Sequence, residues 1–265
     1  MQIGATAKSK EVKRVAGRGA LGRDLRAAVI DGLAALIVAA IGFAILISRL
    51  RAGTNAAAIE MPDMVRNGGV WAYSWSQAVG WSALLWSWLT IVLGVSLPIL
   101  VKQQRWRLRA KAELLHRSTS LTVLFLMLAH PILLLWDKMG DTLISDFVPY
   151  ATSYVPGRFP QTLGILSLYL AIALGLSFYI RGKVGLRRWR WLHRYFVPSV
   201  YILAVWHTLA YGSDVKTHNL LWLIVWAMQA PILVAFAIRI LQGGQASAQR
   251  PIGEHNTLQG DKGAG

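Results

Sequence analysis

The chain has 265 residues, of which 55% are hydrophobic and only 15% charged; it has no cysteine and a net charge of +16. About a quarter of the residues in a soluble domain are charged, so this composition points to lipid, and the missing cysteines exclude disulfides, cysteine-ligated zinc or iron–sulfur clusters and the C-x-x-C-H attachment run. The basic balance would suit nucleic acid, but most Lys and Arg lie between apolar runs on one predicted side of a membrane, which excludes nucleic acid as a partner.

Residues 1–27 are polar and basic, with Lys8, Lys10, Lys13, Arg14, Arg18, Arg23 and Arg26. They read as a mobile cytoplasmic tail that can touch anionic lipid, where each basic residue is worth about 1 kcal/mol. The first apolar run is Ala28–Ile47. Three alanines at 56–58 resemble a cleavage site, but the length of the run and its long leader favour an uncleaved anchor. Further spans are expected at Gly80–Val101, Ser118–Trp136, Leu163–Ile180, Trp191–Tyr211 and Leu220–Leu241, each near the ~18–20 residues that cross a bilayer. Pro98, Pro131, Pro198 and Pro231 fall inside four of them, which membrane helices tolerate better than soluble ones. The expected fold is therefore all-α: an integral membrane bundle of six transmembrane helices over 28–241. A short Gly- and Gln-rich tail, 242–265, follows.

Orientation follows from Lys and Arg. With both termini in the cytoplasm, 22 of the 28 basic residues and six of the twelve acidic ones fall on the inner side. The whole excess of +16 is then inner and the outer side is neutral. Trp71, Trp75, Trp81, Trp136 and Trp189 fall near predicted boundaries, as interfacial aromatics do. A bacterial plasma membrane suits this bias and the absence of organelle signals.

Four of the six histidines form two pairs. His116 and His130 lie on the third span, His193 and His207 on the fifth, each pair fourteen residues apart. Fourteen helical residues turn through ~1400° and rise about 21 Å, so both histidines of a pair share nearly one face at opposite depths. Spans three and five run in the same direction, which sets His116 level with His193 and His130 level with His207. Two tiers of facing imidazoles suit two b-type haems, each needing one imidazole per face of the iron. With both axial positions filled, electron transfer is outer-sphere. One intramembrane histidine is often only a polar contact between helices, but two matched pairs are hard to obtain by chance. A metal-only site is disfavoured against haem, because histidines fourteen apart on one helix cannot reach a common ion.

Arg117 and Arg194 directly follow the two inner histidines. Two roles stand open for them: pairing with haem propionates, or anchoring on the positive-inside side. Arg49 and Arg51 read as interfacial anchors, His218 as a solvated loop residue and His255 as part of the tail. Asp31 reads as solvated or paired; aromatic packing accounts for Phe125 and Tyr201.

The stretch LRRWRWLHRYFVPSVYILAVWHTLAYG, Leu186 to Gly212, resembles the fifth helix of the ferric reductase-like transmembrane domain, and LLHRSTSLTVLFLMLAHPILL, Leu114 to Leu134, resembles its third. That superfamily includes ferric reductases, NADPH oxidases and the haem-binding subunit of a methionine sulfoxide reductase system. The resemblance implies that His116 and His193 ligate an inner haem, and His130 and His207 an outer one. Ferric reductases and NADPH oxidases carry a cytoplasmic flavin and nicotinamide domain after the last helix. Here no Gly-rich dinucleotide fingerprint follows. The expectation is therefore an electron conduit, an oxidoreductase component fed by a separate cytoplasmic flavin reductase. Its outer-face acceptor is a ferric chelate, oxygen or a redox protein. Two rivals stand beside it: a quinol-linked dihaem cytochrome b, whose histidine spacing is similar, and a non-redox membrane transporter or scaffold, which would be colourless.

Overall fold

A computed structural model describes residues 3–215 and 220–248. His218 and His255 lie outside the described residues, as do Lys216 and 249–265. All regular structure among the described residues is helical. In chain order the helices are α1 (Ile3–Arg51), α2 (Ala56–Glu60), α3 (Pro62–Arg66), α4 (Val70–Lys102), α5 (Trp106–Leu134) and α6 (Leu143–Phe147). A 3-10 turn at Val155–Gly157 leads into α7 (Arg158–Val184), followed by α8 (Leu186–Tyr211), α9 (Leu220–Ala227) and α10 (Gln229–Ala248). The first helical residues of α1 fall within the segment expected as a basic tail.

Five stretches are long and apolar enough to cross a bilayer: Leu21–Arg51, Val70–Lys102, Trp106–Leu134, Val155–Val184 and Leu220–Ile238. The protein is thus a multi-pass membrane protein. The fifth expected span is helix α8, which has 26 residues but is not among the five. Its first turns carry Arg187, Arg188, Arg190 and Arg194, and its body carries two histidines and several Tyr and Trp. Polarity rather than length sets it apart. The second span begins at Val70, ten residues before the expected Gly80, so Trp71 and Trp75 sit within α4. The last span is broken at Met228. Pro231 lacks an N–H and cannot bond back one turn, and the indole of Trp88 donates to the Met228 carbonyl at 2.5 Å.

Packing follows the small residues. Ala35 and Ala39 of α1 meet Val79, Ala83 and Trp86 of α4 and Val123 and Leu126 of α5 in one core. Ser82 donates to the Ala35 carbonyl at 2.8 Å and Ser167 of α7 to the Val200 carbonyl of α8 at 2.8 Å. In lipid, close backbone approach and such interhelical bonds replace the hydrophobic drive that water supplies. The opposite faces are apolar and exposed: Ile30 is 74% exposed and Ile37 62%, as lipid-facing side chains are. Helix α5 packs mainly on α4 and α1, and α8 mainly on α7. The facing sides of α5 and α8 are left to the histidines.

Candidate functional site

His116 and His130 project from α5, His193 and His207 from α8. The rings of His116 and His193 have centres 6.2 Å apart and are nearly perpendicular, at 85°. Those of His130 and His207 are also 6.2 Å apart, at 76°. The four histidines are therefore brought together in the pairs expected from their spacing.

The separation has a chemical meaning. Two metal–imidazole bonds of about 2 Å each, plus roughly 1 Å from each ring nitrogen to its ring centre, sum to about 6 Å. Edge-to-face ring pairs also fall within about 4.5–7 Å, so it is the repeat of one separation at two depths, on the same two helices, that favours a shared ligand over packing alone.

Three of the rings are held from behind. His116 Nδ1 bonds the Thr90 carbonyl at 2.9 Å, His130 Nδ1 the Ser76 carbonyl at 2.8 Å, and His207 Nδ1 the Pro160 carbonyl at 2.9 Å. A carbonyl only accepts, so each Nδ1 carries the hydrogen and each Nε2 keeps its lone pair for a ligand. The Ser76 hydroxyl also donates to the His130 carbonyl at 2.8 Å. These are the oriented, singly protonated imidazoles that an axial ligand requires. The observed donors thus fit a bis-histidine haem at each depth. Among the described residues no three of His, Cys, Asp and Glu cluster as a bare metal site.

A cavity lies beside the His130/His207 pair, mostly apolar along α4, α5 and α7, with a polar mouth. At the mouth Gln77 donates to the Ser213 hydroxyl at 2.5 Å, and Tyr73 to the same oxygen at 3.3 Å. Beside them Arg49, at the end of α1, pairs with the buried Asp214 at 2.9 Å. Arg49 thus ties the end of α1 to the segment after α8, a more specific role than interfacial anchoring.

The acidic loop at this end titrates unusually. Burial, the charges of Asp146 and Asp137, and a hydrogen bond to Asp137 push Asp141 up to about 7. Burial, opposed by a hydrogen bond from Ser145 and reinforced by the Asp137 charge, pushes Asp146 up to about 6. Both groups hold protons more tightly in the folded loop than in the unfolded chain. Their contribution to the loop's stability is therefore fully present below the ordinary carboxyl pKa and is lost as pH rises through the two raised values. Backbone protection factors over 137–161, measured by hydrogen exchange, are expected to be higher at acidic than at neutral pH. Asp141→Asn should flatten the profile; an unchanged slope would refute the assignment.

Of the two arginines next to the inner histidines, Arg117 bonds Asp24 at 3.2 Å and Glu113 at 3.1 Å. Arg194 is exposed. The residues behind the imidazoles escaped the sequence reading: the Ser76, Thr90 and Pro160 carbonyls and the glycines beside them. A signal was present, since Gly80 and Gly94 repeat the fourteen-residue interval of the histidines.

Residues 79–205 match the family model described as ferric reductase like transmembrane component, bearing out the resemblance drawn from the two helices. The match takes in His116, His130 and His193 and stops just short of His207. No curated protein and no solved structure matches the chain significantly.

Proposed function

We propose that this protein is a dihaem, b-type electron conduit across a membrane, with His116 and His193 holding the inner haem and His130 and His207 the outer. One observation carries the reading: two pairs of opposed imidazoles, both with ring centres 6.2 Å apart. Each haem, when bound, would supply a one-electron couple. The protein's own residues do the rest. The carbonyl-bonded histidines fix which nitrogen faces the iron, and the apolar walls exclude water. Helices α5 and α8 set the tiers about 21 Å apart between the two faces.

On this reading α8 crosses the membrane as a sixth span. Its arginines stay on the cytoplasmic side, its two histidines are shielded by the bundle, and both termini lie inside. The basic excess on that side supports the orientation. Arg194 is the arginine free in position to meet an inner propionate, and Arg117 serves to anchor α1 to α5. On this reading the donor is a separate flavin reductase on the cytoplasmic face. The acceptor is met at the polar mouth on the outer face: a ferric chelate, oxygen or a redox protein.

The test is a dithionite-reduced minus oxidised absorption spectrum of the purified protein, with haem quantified per chain. About two low-spin b haems are expected. Haem-free protein after expression with ample haem would sink the proposal. NAD(P)H alone is expected to leave the spectrum oxidised, and rapid reduction without added flavoprotein would overturn the assignment of the donor.

A further inference from the structure

Each carbonyl that holds a histidine is followed four residues later by glycine: Thr90 by Gly94, Ser76 by Gly80, Pro160 by Gly164. In a helix the Cβ of residue i+4 tilts back toward the carbonyl of residue i. A side chain there would cover the oxygen. A Cβ on Gly94 would lie 3.0 Å from His116 Cε1, on Gly80 3.1 Å from His130 Nδ1, and on Gly164 2.8 Å from His207 Nδ1. The glycines are therefore slots through which the imidazoles reach the backbone.

The slots repeat with the histidines. Gly80 and Gly94 are fourteen residues apart on α4, antiparallel to the fourteen between His116 and His130 on α5. Helix α7 runs antiparallel to α8, so the same step from Pro160 and Gly164 leads to Leu174 and Phe178. The position that would serve His193 carries a phenylalanine. The Leu174 carbonyl accepts from Ser177 instead, at 2.6 Å. His193 Nδ1 is buried and has no hydrogen-bond partner. Its ring stacks on Trp189, with centres 5.0 Å apart at 25°, and Trp189 packs edge-on against Phe178.

We infer that Gly80, Gly94 and Gly164 are positioning residues for the axial histidines, and that Phe178 in the fourth slot makes the two haem sites unequal. The inference rests on the dihaem reading. The outer pair is anchored on both sides, whereas the inner pair is anchored only through His116. An Nδ1–H bonded to a carbonyl makes its imidazole a more basic ligand, and a more basic axial ligand favours the ferric state. This contribution lowers the potential of the outer haem twice and that of the inner haem once. Phe178 thereby withholds from the inner site an interaction that the other three ligands have.

Redox titration of the full-length protein, following both haems by absorbance, tests this with four variants. Gly164→Ala is expected to raise the outer midpoint potential and weaken outer haem binding about 10–100-fold, with the inner haem unchanged. Gly94→Ala should do the same at the inner haem alone. Gly42→Ala is the control, because a Cβ there meets Ala78 and Trp81 at an ordinary 3.5 Å; both potentials should stay put. Phe178→Gly opens the fourth slot, and the inner potential should fall while the outer stays. Two haems with unshifted potentials in Gly164→Ala and Gly94→Ala would overturn the inference and leave the dihaem reading standing. If those two variants do not accumulate, an unmoved inner potential in Phe178→Gly overturns it alone. Parent protein without haem would instead bring down the reading beneath it.

Discussion

The His207→Ala protein is expected to carry one haem per chain where the parent carries two, and the haem lost is the outer one. The two tiers lie about 21 Å apart along the helices, beyond the roughly 10 Å within which substitutions usually couple. The inner ligands, His116 and His193, keep their own neighbours: the Thr90 carbonyl behind one and the Trp189 ring behind the other. His130→Ala should give the same result, since it removes the opposite axial ligand of the same tier. Haem quantified per chain, with the reduced spectrum of what remains, reads out both variants. Full haem content with an unchanged spectrum in either would mean that the pairing is wrong. Loss of both haems together, with the protein still folded, would mean that the tiers are not independent. Transmembrane electron transfer should be abolished in both variants, because removing one tier lengthens the hop to the full depth of the bundle.

The sequence made the histidines legible because helical geometry converts spacing directly into direction and depth. A fourteen-residue interval has one structural meaning on a helix, and two copies of it on parallel helices fix the pairs. The same reasoning reached most of the spans, since an apolar run is a property of adjacent residues. It failed where a property depends on another helix. The start of α4 at Val70 escaped because the stretch from Val70 to Val79 is mixed in composition; Ser74, Ser76 and Gln77 are buried against neighbouring helices. The pairing of Arg117 with Asp24 joins residues ninety-three apart, and nothing local in either segment announces it. The Arg49–Asp214 pair is the same case. The glycine slots were half legible: their fourteen-residue step was there to be read, but its purpose appears only when a ring from another helix occupies the space. Polarity also misleads in one place. Helix α8 is the least apolar of the long helices, because Arg187, Arg188, Arg190 and Arg194 fill its first turns and His193 and His207 take positions that aliphatic residues would hold in an ordinary span.

Arg117→Ala is expected to cost about 3–5 kcal/mol, the usual penalty for leaving one partner of a buried ion pair alone. Asp24 has a fully buried side chain, whereas Arg117 is 23% exposed and also reaches Glu113. Removing the arginine leaves the Asp24 carboxylate without its cation between α1 and α5, so α1 should loosen from the bundle. Asp24→Asn should cost less, because it removes the charge that needs a partner while keeping the side chain's shape. The double variant Arg117→Ala with Asp24→Asn should recover much of the loss, and thermal unfolding in detergent, read for all four proteins, gives the coupling energy. The same series decides between the two roles open to Arg117. An anchor predicts that stability falls and that the inner haem, once the protein is folded, keeps its content and potential. If Arg117→Ala instead depletes the inner haem or shifts its potential at unchanged thermal stability, the guanidinium is a propionate partner. The bonds to Asp24 and Glu113 would then serve to aim it.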